Sequence, residues 1–224
     1  MFLKRADIEI MDALLHAIAT GNLEIVMLLL DTMGETTPDA EYCGSKYSSE
    51  FPAEVTPLHL AIQKGDFAIV SLLLERGHRI ERPHIPSCLC NVCKESLRNP
   101  SYDLAAWRMS CYRAISSPIY VALTSDDPIL ATFLLHDELQ LCISMDEQYR
   151  EEYVIMCEDL RQFAVDLISM CESQLEVKLV LSQEFSDTRN IHTVYPTLYL
   201  ALELSQKEVR DCTAMLDGTQ SYQH

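Results

Sequence analysis

Two stretches of the chain repeat one pattern of apolar and polar positions. Residues 13–30 and 57–74 align at an offset of 44 with nine identical positions: Leu14/Leu58, Ala17/Ala61, Ile18/Ile62, Gly21/Gly65, Ile25/Ile69, Val26/Val70, Leu28/Leu72, Leu29/Leu73 and Leu30/Leu74. In each copy, apolar residues at helical spacing run up to a glycine, and a second apolar helix follows. A weaker echo lies at an offset of 61, pairing Pro57 with Pro118, Ala61 with Ala122, Leu73 with Leu134 and Leu74 with Leu135. There Asp126 stands at the glycine position and Pro128 opens the second helix. Residues 146–181 carry Tyr149, Tyr153, Met156, Leu160, Phe163, Leu167, Cys171 and Leu175 at steps of three and four, which predicts a long amphipathic helical region. Residues 94–110 are mixed and read as mostly loop, with Asn99-Pro100 as a breaker. Residues 182–193 read as a polar linker, 196–209 as a last helix and 211–224 as aperiodic. The pattern predicts an all-α chain.

The second copy opens Thr56-Pro57-Leu58-His59-Leu60-Ala61, which resembles the ankyrin repeat. Thr56 caps the first helix, and Pro57 sits where a missing N–H costs nothing. Ala61 is small enough for the paired helix to approach. Gly65 ends the helix in a left-handed conformation, and Gly77 closes the second one. Ile69, Val70, Leu72, Leu73 and Leu74 are expected on its buried side. An ankyrin period is about 33 residues, so a period of 44 implies an insertion, placed between Gly34 and Glu54 and read as a loop. Helical hairpins of another kind would share the helix pairs but not this opening. Two repeats bury a continuous core poorly, so a cap is expected, and the degenerate pair at 116–135 is the candidate.

Charge narrows the function classes. The net charge is −17, the pI about 4.7 and no Lys/Arg run occurs, which argues against a nucleic-acid surface. The acid reads as a solvated helical exterior. Asp7, Glu9 and Asp12 interrupt the start of the chain, so no signal peptide is expected. The longest apolar run covers residues 25–30, against about 20 residues for a membrane helix. The nine cysteines are therefore expected in a reducing compartment, as metal ligands or buried thiols.

Four candidate ligands crowd into ten residues: His84, Cys88, Cys90 and Cys93. Cys90 and Cys93 form a CxxC chelating step. Three thiolates and an imidazole close a tetrahedral site with no open position, which supplies folding energy and no chemistry. The single residue between Cys88 and Cys90 is unusual for a zinc finger, and reduced thiols beside an incidental histidine fit the spacing too. A redox CxxC lacks its βαβ surroundings. Elsewhere, Cys157 and Cys171 lie 14 residues apart and share a helix face with Leu160, Phe163, Ala164 and Leu167, as core thiols do. Cys43, Cys111, Cys142 and Cys212 are isolated. His59 belongs to the repeat opening, and His16 is close to the matching place in the first copy. No phosphate loop, nucleophile elbow or His-Glu-x-x-His occurs, so no enzyme is expected.

Several segments together resemble the cytosolic N-terminal region of short (TRPC-type) transient receptor potential cation channels. They are Gly77-His78-Arg79-Ile80-Glu81-Arg82-Pro83-His84 running into Cys88, Cys90 and Cys93; Ser117-Pro118 with Tyr120 and Asp126-Asp127-Pro128; the helix over 157–176; and Ala201-Leu202-Glu203-Leu204 with Gln206-Lys207-Glu208. The resemblance runs over roughly residues 8–209. It implies a structural zinc ion on His84, Cys88, Cys90 and Cys93. It implies linker helices after the ankyrin stack that contact neighbouring subunits, in a homo- or hetero-tetrameric, calcium-permeable, nonselective channel opened downstream of phospholipase C. The expected location is the cytosolic side of the plasma membrane. The expected organisation is two ankyrin-type repeats over 8–80 with an inserted loop at about 34–54, a His/Cys zinc-binding loop over 81–110, a linker-helix domain over 111–209 and an irregular tail over 210–224. The chain differs from the family in having two repeats instead of four and in carrying no pore, so a fragment or truncated form is expected. A free-standing ankyrin adaptor that binds partner proteins, or a truncated form that modulates full-length subunits, is the alternative reading.

Overall fold

A computed structural model describes residues 10–45, 48–98 and 104–181. Among these the secondary structure is helical and no strand occurs. The chain divides into two compact units, residues 1–123 and 124–224.

The first unit begins with two helix pairs that share one turn. Helix α1 (Ile10–Ala19) leads to α2 (Leu23–Thr36), and α3 (Pro57–Lys64) leads to α4 (Phe67–Glu75). Gly21 and Gly65 both sit at φ 69°, where a Cβ would be strained. In each turn the glycine N–H and the next N–H bond back to the ending helix: Gly21 to Ile18 O and Asn22 to Ala17 O, then Gly65 to Ile62 O and Asp66 to Ala61 O. The residue after each glycine caps the second helix, Asn22 accepting from the Ile25 N–H and Asp66 from the Ile69 N–H, both at 3.1 Å. Thr56 and Pro57 open α3 as expected, with Thr56 Oγ1 accepting from the His59 N–H. On α4, Ile69, Val70 and Leu73 are buried, while Leu72 and Leu74 are only half-buried.

The insertion is more ordered than a loop. A 3-10 helix, Pro38–Tyr42, follows α2. Its Glu41 is buried against Arg76. Gly44 is required here, since a Cβ would lie 2.1 Å from the Ala53 carbonyl oxygen.

α1 packs on α3, and α3 packs in turn on α6 (Leu104–Ile115). The next layer on the repeats is thus a helix in the segment read from sequence as mostly loop. The reason is visible in its buried side, where Met109, Cys111, Tyr112, Ala114 and Ile115 are interleaved with Arg108 and Ser110. Buried polar residues blur the apolar period that marks a helix. α5 (Asn91–Arg98) and α7 (Pro118–Thr124) complete this unit, which ends within α7. The compact units thus divide inside the expected linker-helix segment, and α5 and α6 fall on the ankyrin side.

The second unit is built on an antiparallel pair, α8 (Pro128–Met145) and α9 (Arg150–Ser169). Asp127 caps α8 by accepting from the Leu130 N–H at 2.9 Å, with Pro128 in the first turn. Near the connection, the Tyr153 hydroxyl donates to Asp146, and further along Gln140 donates to the Cys157 sulfur. The buried stripe of α9 is Tyr153, Met156, Cys157, Leu160, Ala164 and Ile168. Phe163, Leu167 and Cys171 are half-buried and Leu175 is exposed, because the expected stripe drifts off the true one after Leu160. The helical region also breaks. α10 (Gln174–Leu181) starts anew with a reciprocal cap, Ser173 Oγ accepting from the Glu176 N–H and Glu176 accepting from the Ser173 and Glu172 N–H groups. The linker at 182–193, the helix at 196–209 and the tail lie outside the described residues. No helix among the described residues is long and apolar enough to cross a membrane.

Candidate metal centre

After α4 the chain turns at Gly77 (φ 94°) and runs without regular secondary structure to His84. Contacts from α6 and α7 help to hold this run. The Tyr120 hydroxyl on α7 accepts from the Ile80 N–H at 3.4 Å, and Arg108 Nε on α6 donates to the His84 carbonyl at 2.8 Å. A turn closed by the Cys88 N–H on Ile85 O then brings Cys88 back towards His84.

Cys90 stands at the N-cap of α5. Its carbonyl accepts from the Lys94 N–H at 3.0 Å and its sulfur from the Cys93 N–H at 3.4 Å. A CxxC step suits this position, because residue three of a helix turns back over its cap. The four side chains converge. His84 Nδ1 lies 3.3 Å from Cys90 Sγ, 3.3 Å from Cys93 Sγ and 3.5 Å from Cys88 Sγ. All four candidate ligand atoms lie within 4.8 Å of one another. Zinc bonds of about 2.3 Å to sulfur and about 2.0 Å to nitrogen would set tetrahedral N···S edges of roughly 3.5 Å. The residues therefore fit a Cys3His metal site. Cys93 is buried, Cys88 and Cys90 are half-buried, and the His84 side chain is exposed.

The electrostatics fit a cation. The Cys93 backbone N–H, foremost, holds the Cys90 thiol down to about 6, with bonds from the neighbouring ligands adding to it. Burial, then the adjoining thiols, pushes Cys93 up to about 11. Crowded thiols cannot all ionise unaided, and a divalent cation removes that conflict.

The four residues expected from the sequence to form a site are brought together without exception. Sequence reading missed Arg108 and the role of Tyr120. A charged residue within the apolar stretch of α6 was the available signal. Of the other cysteines among the described residues, Cys111, Cys142 and Cys157 are buried, Cys171 is half-buried and Cys43 is exposed. Burial pushes Cys111 up to about 12 and Cys157 up to about 11, so both are inert core thiols.

Comparison with known proteins follows the same division. Residues 1–84 match the family described as Ankyrin repeats (3 copies), and residues 88–150 match Transient receptor ion channel II. A Caenorhabditis elegans transient-receptor-potential-like protein is 32% identical over 191 residues, which is 82% of this chain and 19% of that protein. Mouse short transient receptor potential channel 4 is 34% identical over 176 residues, covering 76% of this chain and 18% of the channel. Human short transient receptor potential channel 3 is 29% identical over 197 residues, covering 81% and 21%. The chain thus spans about a fifth of the length of the curated relatives it matches. With both family matches in order along one chain and channel relatives across most of its length, the chain belongs to the short transient receptor potential channel family, in the region that carries ankyrin repeats followed by the transient receptor ion channel II segment.

Proposed function

We propose that this chain is the cytosolic ankyrin and linker portion of a calcium-permeable, nonselective cation channel, serving subunit assembly and gating. It works on the cytosolic side of the plasma membrane, with other channel subunits, in a homo- or hetero-tetramer, as its partners. A structural zinc ion on His84, Cys88, Cys90 and Cys93 ties the end of the repeats to the helices that follow. In this division, residues 8–80 are the repeat region, 81–110 the metal loop, 111–209 the linker helices and 210–224 a tail.

One observation carries the reading. The ankyrin match ends at residue 84 and the channel match begins at residue 88, so the cluster takes His84 from one and three cysteines from the other. A metal there would make two family segments one mechanical body. Zinc is favoured by a soft, tetrahedral, four-ligand set with no open position.

The test is co-expression of the tagged chain with a full-length short transient receptor potential channel. Co-purification with the channel, and a changed whole-cell current, is the expected result. A chain that never co-purifies with channel subunits, leaves currents unchanged and binds other cytosolic proteins would replace this reading with an ankyrin adaptor.

A further inference from the structure

Arg108 is buried, at 7% exposure. It lies in the middle of α6, 24 residues beyond His84 in sequence, and its Nε donates to the His84 carbonyl at 2.8 Å. A buried guanidinium cannot shed its proton, so its charge has to be met inside the protein. The bond reaches the backbone of a residue whose ring nitrogen is the hub of the Cys3His cluster, 3.3–3.5 Å from all three sulfurs. Three thiolates, a neutral imidazole and a divalent ion sum to a charge of −1, so the loaded cluster is anionic.

We infer that Arg108 is the positioning residue of the metal centre. It fixes the His84 backbone so that Nδ1 faces the three sulfurs, and its buried positive charge offsets the net negative charge of the loaded site. This rests on the metal reading proposed above. It also gives the metal a mechanical route into the repeats, because α6 packs on α3. Metal occupancy strengthens the hold of α6 on the His84 segment, and metal loss weakens it.

The test is zinc affinity of the whole chain, measured by competition with a chromophoric chelator. Three variants are compared with the wild type: Arg108→Gln, Arg108→Lys and Arg113→Gln. Arg113 lies on the same helix with its side chain exposed, and serves as the charge control. Arg108→Gln is expected to weaken zinc binding by about 10–100-fold, the usual effect of losing a residue that orients a ligand. Arg108→Lys keeps the charge and loses the Nε donor, so it is expected between the wild type and Arg108→Gln. Arg113→Gln is expected to match the wild type. The cobalt(II)-loaded Arg108→Gln protein should also show an altered thiolate charge-transfer spectrum, which a loss of helix packing remote from the site would not produce. The inference is overturned if both Arg108 variants bind zinc within about twofold of the wild type. If Arg108→Gln does not fold, Arg108→Lys decides alone, and wild-type affinity there overturns it. Wild-type protein that binds no metal would instead refute the metal centre, and this inference with it.

Discussion

Arg76 Nη2 meets Glu41 Oε2 at 3.1 Å, joining the end of α4 to the 3-10 helix of the insertion across 35 residues of sequence. The same guanidinium reaches Asp31 Oδ1 at 3.0 Å and the Leu30 carbonyl at 3.1 Å, so one side chain ties the insertion to both helix pairs. Glu41 is only 5% exposed, whereas the Asp31 side chain is 70% exposed. Removing Arg76 leaves a buried carboxylate without its partner. Arg76→Met is expected to destabilise the first unit by about 3 kcal/mol, and Asp31→Asn by less than about 1 kcal/mol. Urea denaturation of both variants checks this, and equal costs would contradict it.

His59 couples stability to pH. Its ring is buried, Nδ1 lies 2.8 Å from Thr56 Oγ1, and Nε2 is buried with no hydrogen-bond partner. Burial lowers its pKa from 6.5 to about 4. Burial also lowers His78 to about 4, opposed by Glu41 and assisted by Arg76 and Arg79. Both histidines are depressed in the folded state, so the unfolded chain takes up protons first. Stability is therefore full above pH 6.5, starts to fall below it, and this loss is complete near pH 4. For His59 the loss is at most roughly 3 kcal/mol. Denaturation midpoints between pH 7.5 and 4.5 check the direction. His59→Gln should flatten part of the slope, and an unchanged slope would count against it.

Thiol reactivity separates the core cysteines from the surface. In the native chain at pH 7, Cys43 is expected to react quickly with a maleimide. Cys111, Cys142 and Cys157 are expected to react only on unfolding, because each is buried. Mass-spectrometric mapping of modified peptides before and after denaturant distinguishes them. Rapid native labelling of Cys142 or Cys157 would contradict the α8–α9 packing.

The α8–α9 pair gives a stability test of the second unit. Leu139 is fully buried. Leu139→Ala is expected to cost about 2–5 kcal/mol, and to leave the metal affinity of the first unit unchanged. A calorimetric scan with and without zinc measures both effects.

What was legible in the sequence was local. Thr56, Pro57 and Gly65 act within one or two helical turns, and their caps and φ angles follow from residue type. The metal cluster was legible because His84, Cys88, Cys90 and Cys93 close a loop of ten residues. What was missed depends on distant partners. Glu41 looks like one more surface acid until Arg76 arrives from the next repeat. Arg108 and Ser110 interrupt the apolar period of α6, and the bond from Arg108 to the His84 carbonyl joins residues 24 apart in sequence. The start of α10 is an exception, since Ser173 and Glu176 spell a reciprocal cap in plain sequence. There the strong apolar run of α9 masked a local stop.

The most direct measurement is metal content of the purified, reduced chain, with chelation followed by hydrogen exchange. One equivalent of zinc is expected, bound more weakly as pH falls because the thiols must ionise. Cys90→Ser should lower its affinity sharply. Chelation should speed exchange in α5 and across 78–93, while the α8–α9 pair stays protected. Wild-type protein that purifies without metal, takes none up and is as stable as protein offered zinc would contradict the account.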